Sequence, residues 1–153
     1  MTGLQEYTKR EELLETDEIV DRIARAKEAL GDSVLILGHH YQRDEVFRFA
    51  DRSGDSFKLA RDAAEQRSAK YVVFCGVHFM AESADILTSE DVQVILPNMA
   101  AGCSMADMAD PDDVYEAWDT IHDVLGDDAG VVPITYMNSA ASLKAFVGEH
   151  GGL

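Results

Sequence analysis

Apolar positions along the chain alternate between two kinds of pattern. Leu13, Ile19, Val20, Ile23, Ala24, Ala26 and Leu30 recur at helical spacing and stop before Gly31, with Thr8 and Glu11 spaced as a capping box upstream. Val34-Leu35-Ile36-Leu37 is a short unbroken apolar run closed by Gly38, the mark of a strand buried on both faces. Helical patterns follow from Asp44 to about Arg52 and from Ser56 to Arg67, before a second buried run at Tyr71-Val72-Val73-Phe74-Cys75. A helix over Phe79 to Leu87 comes next, then a third strand over Val92 to Leu96, stopped by Pro97. The spacing then predicts a helix from Pro111 to about Leu125, a fourth strand from Gly130 to Thr135 and a last helix from Ala140 to Val147. Strands alternating with helices predict an α/β fold, a parallel sheet covered on both faces and joined by right-handed crossovers.

In open parallel sheets, ligands bind beyond the carboxyl ends of the strands, where helix N-termini and turn side chains meet in one crevice. His39, His40, Tyr41 and Gln42 follow the first predicted strand; Cys75, Gly76 and His78 the second; Asn98, Cys103 and Ser104 the third; Tyr136, Asn138 and Ser139 the fourth. Three of the five histidines and both cysteines therefore fall at one edge. His39 and His40 are either hydrogen-bonded turn residues or groups that move protons near neutral pH and bind an anion. Tyr41 either packs or completes a proton relay. Asp55 or Ser56 is an N-cap, and the free amides of that helix start, with the Ser56 hydroxyl, would also hold a carboxylate or phosphate. Cys75 ends an apolar strand and reads as a small buried hydrophobe. Cys103 lies in the loop Ala101-Gly102-Cys103-Ser104-Met105-Ala106-Asp107, where a thiolate could reach a metal or a substrate.

The 153 residues carry 13 Lys and Arg against 29 Asp and Glu, a formal charge of −16. Clustered basic residues, the footprint of nucleic-acid and anionic-membrane binders, are missing. At 46% hydrophobic residues the chain can still bury a core. No apolar run approaches the ~20 residues of a membrane helix, and the N-terminus lacks the basic start and apolar stretch of a secretory signal, so a cytoplasmic location is expected. Seventeen acidic residues are Asp and five basic ones are Lys, a bias that suits a salt-rich cytoplasm. Two cysteines without a CxxC pair make neither a structural zinc site nor a full iron-sulfur ligand set.

Taken in order, ILGHHYQ, FADRSGDSFKLA, FCGVHFMAESADIL, LPNMAAGCSMAD and ITYMNSAASLKA resemble the quinolinate synthase family, over about Val34 to Lys144. The resemblance implies three α/β/α sandwich domains related by pseudo-threefold symmetry, of which residues 1–100 would form the first and 101–153 the start of the second. It implies condensation of iminosuccinate with dihydroxyacetone phosphate, losing phosphate and two waters to give quinolinate in de novo NAD biosynthesis. It also implies a 4Fe-4S cluster held by three cysteines, one per domain. Carried over by motif, Cys103 is one cluster ligand, and His39 binds iminosuccinate and moves a proton beside the phenol of Tyr41. Ser56 contacts a carboxylate or phosphate, and Tyr136, Met137 and Asn138 hold iminosuccinate. An aspartate oxidase or dehydrogenase is the kind of partner that would supply the imine.

Family members are longer, and the other two cluster cysteines have no counterpart here. The chain is thus expected to be an N-terminal fragment, inactive and without a cluster when alone. Two other readings fit the residues: a non-catalytic α/β module binding a small dicarboxylate through His39, Ser56 and Tyr136, and a metal-dependent hydrolase using His39, His40 and His78. The last lacks the helical HExxH spacing. Both implied substrates are anions, so local donors, the helix start at Ser56 with Arg43 and Lys144, would have to overcome the global negative field.

Overall fold

A computed structural model describes residues 16–153. The capping box at Thr8 and Glu11 lies outside the described residues. Helix α1 (Thr16–Leu30) ends where Gly31 takes φ +51°, a left-handed turn that glycine adopts without a Cβ penalty. None of its residues is fully buried, so its apolar face is only half covered. The chain then turns through Gly31–Ser33 into β1 (Val34–His39), followed by α2 (Asp44–Phe47), β2 (Arg52–Gly54), α3 (Ser56–Glu65), β3 (Tyr71–Cys75), α4 (His78–Leu87), β4 (Gln93–Ile95), α5 (Pro111–Leu125) and α6 (Ala141–Glu149).

The four strands form one parallel sheet in the order β2-β1-β3-β4, with helices on both sides. β1 is central and pairs Val34 to Gly38 with Tyr71 to Cys75, and Leu37 to His39 with Arg52 to Gly54. Leu37, Leu59, Val72 and Phe74 are fully enclosed, with Phe79, Met80, Ala84 and Ala106 around them. α3 contributes Leu59, Ala60 and Ala63, the i, i+1 and i+4 positions of one face.

Two predicted elements differ. Asp44 to Arg52 is not one helix: α2 covers four residues, and the chain then enters β2, an edge strand of Arg52, Ser53 and Gly54 with no apolar side chain to announce it. What holds it is polar. The Asp51 amide donates to the Ile36 carbonyl at 2.8 Å, while its carboxylate accepts from the Ile36 amide at 2.8 Å and from Lys27 Nζ at 2.6 Å. The second correction concerns Gly130 to Thr135, which belongs to no sheet. Among the described residues its backbone hydrogen-bonds beyond itself only with Leu153, through Thr135 N–H to the Leu153 carbonyl at 2.9 Å and Leu153 N–H to the Pro133 carbonyl at 3.1 Å.

Gly38 is required by a close approach, since a Cβ there would stand 2.8 Å from Ala50 Cβ with the Phe47 ring behind it. Gly38→Ala must push the α2 turn off β1, and is expected to cost about 1–3 kcal/mol in urea unfolding. An unchanged midpoint would mean that the turn yields freely.

Candidate active site

The parallel register brings the strand ends to one edge. Because His39 pairs with Gly54, the β1 exit and the start of α3 lie side by side. There the His40 ring donates from Nδ1 to the Gly54 carbonyl at 3.3 Å. The Asp55 carboxylate caps α3 by accepting from the Lys58 amide at 2.8 Å, which leaves the first-turn amides of Ser56 and Phe57 without a protein partner among the described residues. Ser56 itself is buried.

His39 is 5% exposed and its Nδ1 has no hydrogen-bond partner among the described residues. Its ring lies against two others, with centroids 4.1 Å from His40 and 4.0 Å from Tyr41. Burial lowers the His39 pKa from the usual imidazole value, His40 lowers it further, and Asp55 partly opposes them. The ring is accordingly neutral at pH 7. A buried polar atom without a partner is costly, and such atoms commonly mark a place where a ligand completes the set. Tyr41 is 54% exposed, and its pKa is raised first by burial and then by the neighbouring Cys103, which keeps the phenol a proton donor.

Cys103 is half-buried, near enough to Tyr41 to act on its pKa, in a loop tied by two hydrogen bonds to Asp107. Its amide donates to Asp107 Oδ2 at 2.9 Å, and the Asp107 amide returns to its carbonyl at 2.9 Å. The loop reaches the Tyr136 to Ser139 turn through Asn138 Nδ2, which lies 3.8 Å from Met105 Sδ. Ser139 Oγ donates to the Tyr136 carbonyl at 2.8 Å, closing that turn, while the Tyr136 ring is 65% exposed and Met137 half-buried. His39 and Tyr41 pack ring to ring, Cys103 acts on the Tyr41 phenol, Ser56 follows the Gly54 that pairs with His39, and Asn138 meets the Cys103 loop at Met105, so all five fall at one edge. Tyr136 sits at the rim of the group with its ring in solvent.

Cys75, expected to be a buried hydrophobe, is only half-buried at the end of β3, and that burial pushes its thiol pKa up. His78 is directed to Glu82 at 3.7 Å. The Lys144 ammonium donates one of its three N–H groups to the Ser139 carbonyl. Burial lowers its pKa and Glu82 opposes the shift. Sequence reasoning missed Asp107 and Glu82, which hold backbone rather than display chemistry. A groove of about 840 Å³ opens at the other edge of the sheet, where Lys27, Arg52 and Arg67 are mixed with Glu28, Asp32 and Glu65; it has no part in this cluster. Among the described residues no three His, Cys, Asp or Glu side chains are grouped to hold a metal ion. No described helix is long and apolar enough to cross a membrane.

The family model described as quinolinate synthetase A protein matches residues 21–150. The chain belongs to the quinolinate synthase family. Quinolinate synthases similar to it include those of Streptomyces coelicolor, 64% identical over 135 residues (88% of this chain, 34% of the relative), and Corynebacterium glutamicum, 60% identical over 137 residues (90% and 34%). The quinolinate synthase of Bacillus subtilis is 55% identical over 131 residues (86% and 35%). The chain therefore spans about a third of the length of these relatives.

Proposed function

We propose that the chain supplies the imino-dicarboxylate site and one cluster ligand of a quinolinate synthase, which joins iminosuccinate to dihydroxyacetone phosphate and releases phosphate and water. The observation that carries this reading is the neutral, buried His39 ring, packed against His40 and Tyr41 with its Nδ1 unpartnered among the described residues. In it, Ser56 and the free amides beginning α3 bind one carboxylate of the substrate, and Asn138, with Tyr136 and Met137, borders the other. His39 takes or returns a proton at Nδ1, and the protonated Tyr41 phenol donates to a developing negative charge. The imine hydrolyses readily in water, so an enzyme that oxidises aspartate is the class of partner that must supply it.

A 4Fe-4S cluster with one open iron, when bound, supplies Lewis acidity toward a substrate oxygen or nitrogen. The donor set of this chain fits one corner of such a cluster: Cys103 lies close enough to act on Tyr41, whereas the half-buried Cys75 thiol has its pKa raised by burial and so stays protonated. Three thiolates are needed, so the remaining ligands must come from outside these 153 residues.

Residues 1–100 then make up the first α/β/α domain and 101–153 the opening of the second. Support comes from an apolar groove of about 380 Å³ between α5, α6 and the 131–135 segment, lined by Trp118, Ile121, Val132, Leu143 and Phe146. Ile134 in that segment is 75% exposed. An apolar face of this kind calls for further chain to cover it.

Succinate, a stable stand-in for the imine, should shift the NMR signals of His39, Ser56 and Asn138 together along one binding curve. Anaerobic reconstitution should leave the isolated chain with less than stoichiometric iron and sulfide. Succinate shifts scattered over surface cations would overturn the substrate assignment, and a full iron-sulfur complement would overturn the single-ligand assignment.

A further inference from the structure

The turn that carries Tyr136, Met137 and Asn138 has little support from its own element. α6 begins at Ala141 with Ala140 as its N-cap, a residue with no side chain to accept from the first-turn amides. The missing acceptor is provided from 59 residues away: Glu82 Oε2, on α4, accepts from the Ala141 amide at 3.1 Å. From the other side the Lys144 ammonium donates to the Ser139 carbonyl, with its nitrogen 5.4 Å above the centroid of the Phe79 ring, also on α4. Both polar groups of the turn's exit are therefore held by charged side chains, and both holds are referred to the same helix. The other Glu82 oxygen faces its i, i+4 neighbour His78 at 3.7 Å, too far for a hydrogen bond, at the start of α4 where the chain leaves β3.

We infer that Glu82 and Lys144 form a charged clamp that sets the position of the Tyr136 to Ser139 turn against α4, and so fixes the gap between Asn138 and His39 that a dicarboxylate must span. The two are positioning residues; neither touches the reacting atoms. The functional half of this inference rests on the imino-dicarboxylate reading above, whereas the clamp itself stands on the contacts alone. A carboxylate capping an amide and a cation on a carbonyl are hydrogen bonds to charged groups, stronger than neutral ones and more sensitive to geometry.

The test uses the whole 153-residue chain with three substitutions, Glu82→Ala, Glu82→Gln and Lys144→Met, read by amide hydrogen exchange and by succinate titration. Glu82→Ala is expected to speed exchange at residues 137–143 about tenfold or more, leaving strand amides at 35–38 and 72–74 protected. Glu82→Gln keeps an acceptor for the Ala141 amide and should restore most of the protection, a rescue that general loosening of the fold would not give. Lys144→Met keeps the apolar stem over Phe79 but frees the Ser139 carbonyl, and should loosen 136–139 alone. With succinate, Glu82→Ala should retain the shift of His39 and lose that of Asn138. Unchanged exchange in both Glu82→Ala and Lys144→Met would overturn the clamp. So would loosening spread equally over the strands, or the absence of rescue by Glu82→Gln. Altered exchange in the variants, alongside a parent chain whose His39 and Asn138 ignore succinate, would instead leave the clamp standing and overturn the substrate reading.

Discussion

Replacing His39 with Leu is expected to stabilise the chain by about 1–2 kcal/mol while abolishing the response to succinate. Most substitutions of buried residues destabilise, so the sign is informative. His39 keeps Nδ1 out of water with no partner among the described residues, and a buried donor or acceptor left unmade costs about 1–3 kcal/mol. Leu is close in volume, is apolar, and can occupy the space against Tyr41 without that penalty. Retaining a costly group in an enclosed position is the trade expected where binding needs it.

The pH dependence sharpens the expectation. In the unfolded chain His39 titrates near the ordinary value of about 6.5, whereas in the fold burial and His40 hold its pKa lower. Below pH ~6.5 the unfolded state therefore binds a proton that the folded state refuses, and stability falls until the pH drops past the folded value. His39→Leu lacks this loss. Its advantage over the parent should widen between pH 8 and pH 5 in urea unfolding, with the shared background of −16 cancelling in the comparison. A variant that is less stable than the parent by an amount independent of pH would show that the imidazole is a satisfied core group.

What the sequence reveals about this fold depends on where each element finds its partners. β1 and β3 carry the buried residues of the sheet and their apolar runs state this directly, whereas β4 is exposed at Gln93 and Ile95 and offers only Val94 to the core. β2 is legible only in three dimensions, because Arg52, Ser53 and Gly54 owe their place to the Asp51 carboxylate and the Ile36 backbone. The opposite error at Gly130 to Thr135 has a related origin. Val131, Val132 and Ile134 satisfy the pattern of a strand, but a ladder also needs a neighbour, and among the described residues only Leu153 bonds to this segment.

The candidate site divides in the same way. That His39, Tyr41, Ser56 and Cys103 share an edge follows from the strand-end rule once the sheet is known to be parallel. Which atoms hold the site together does not follow, since Glu82 meets Ala141 across 59 residues and Cys103 influences Tyr41 from a distant loop. No local periodicity encodes such pairs. The specific motif stretches mark the residues, and only the register tells what each one touches.

Phe74→Ala should have the largest effect on stability, a loss of about 3–5 kcal/mol. Phe74 is fully buried on β3, in register with Leu37 of β1, and its ring already approaches the space that a Cβ at Gly76 would fill, at 2.9 Å. Gly76 begins the turn into α4, so the cavity would open beneath the helix that carries Glu82 as well as within the core. For a chain of this size the expected fall in Tm is roughly 6–20 °C. Domains of this kind have only about 5–15 kcal/mol to lose, and here an apolar groove and a half-covered α1 face add little. Phe57→Ala offers the comparison, since the same atoms are removed from a ring 54% exposed on α3, and its effect should stay within about 1 kcal/mol. If Phe74→Ala cost no more than Phe57→Ala, the interior would be able to collapse around the gap. The site would then rest on a loosely filled core, and a clamp at Glu82 would have no fixed surface from which to act.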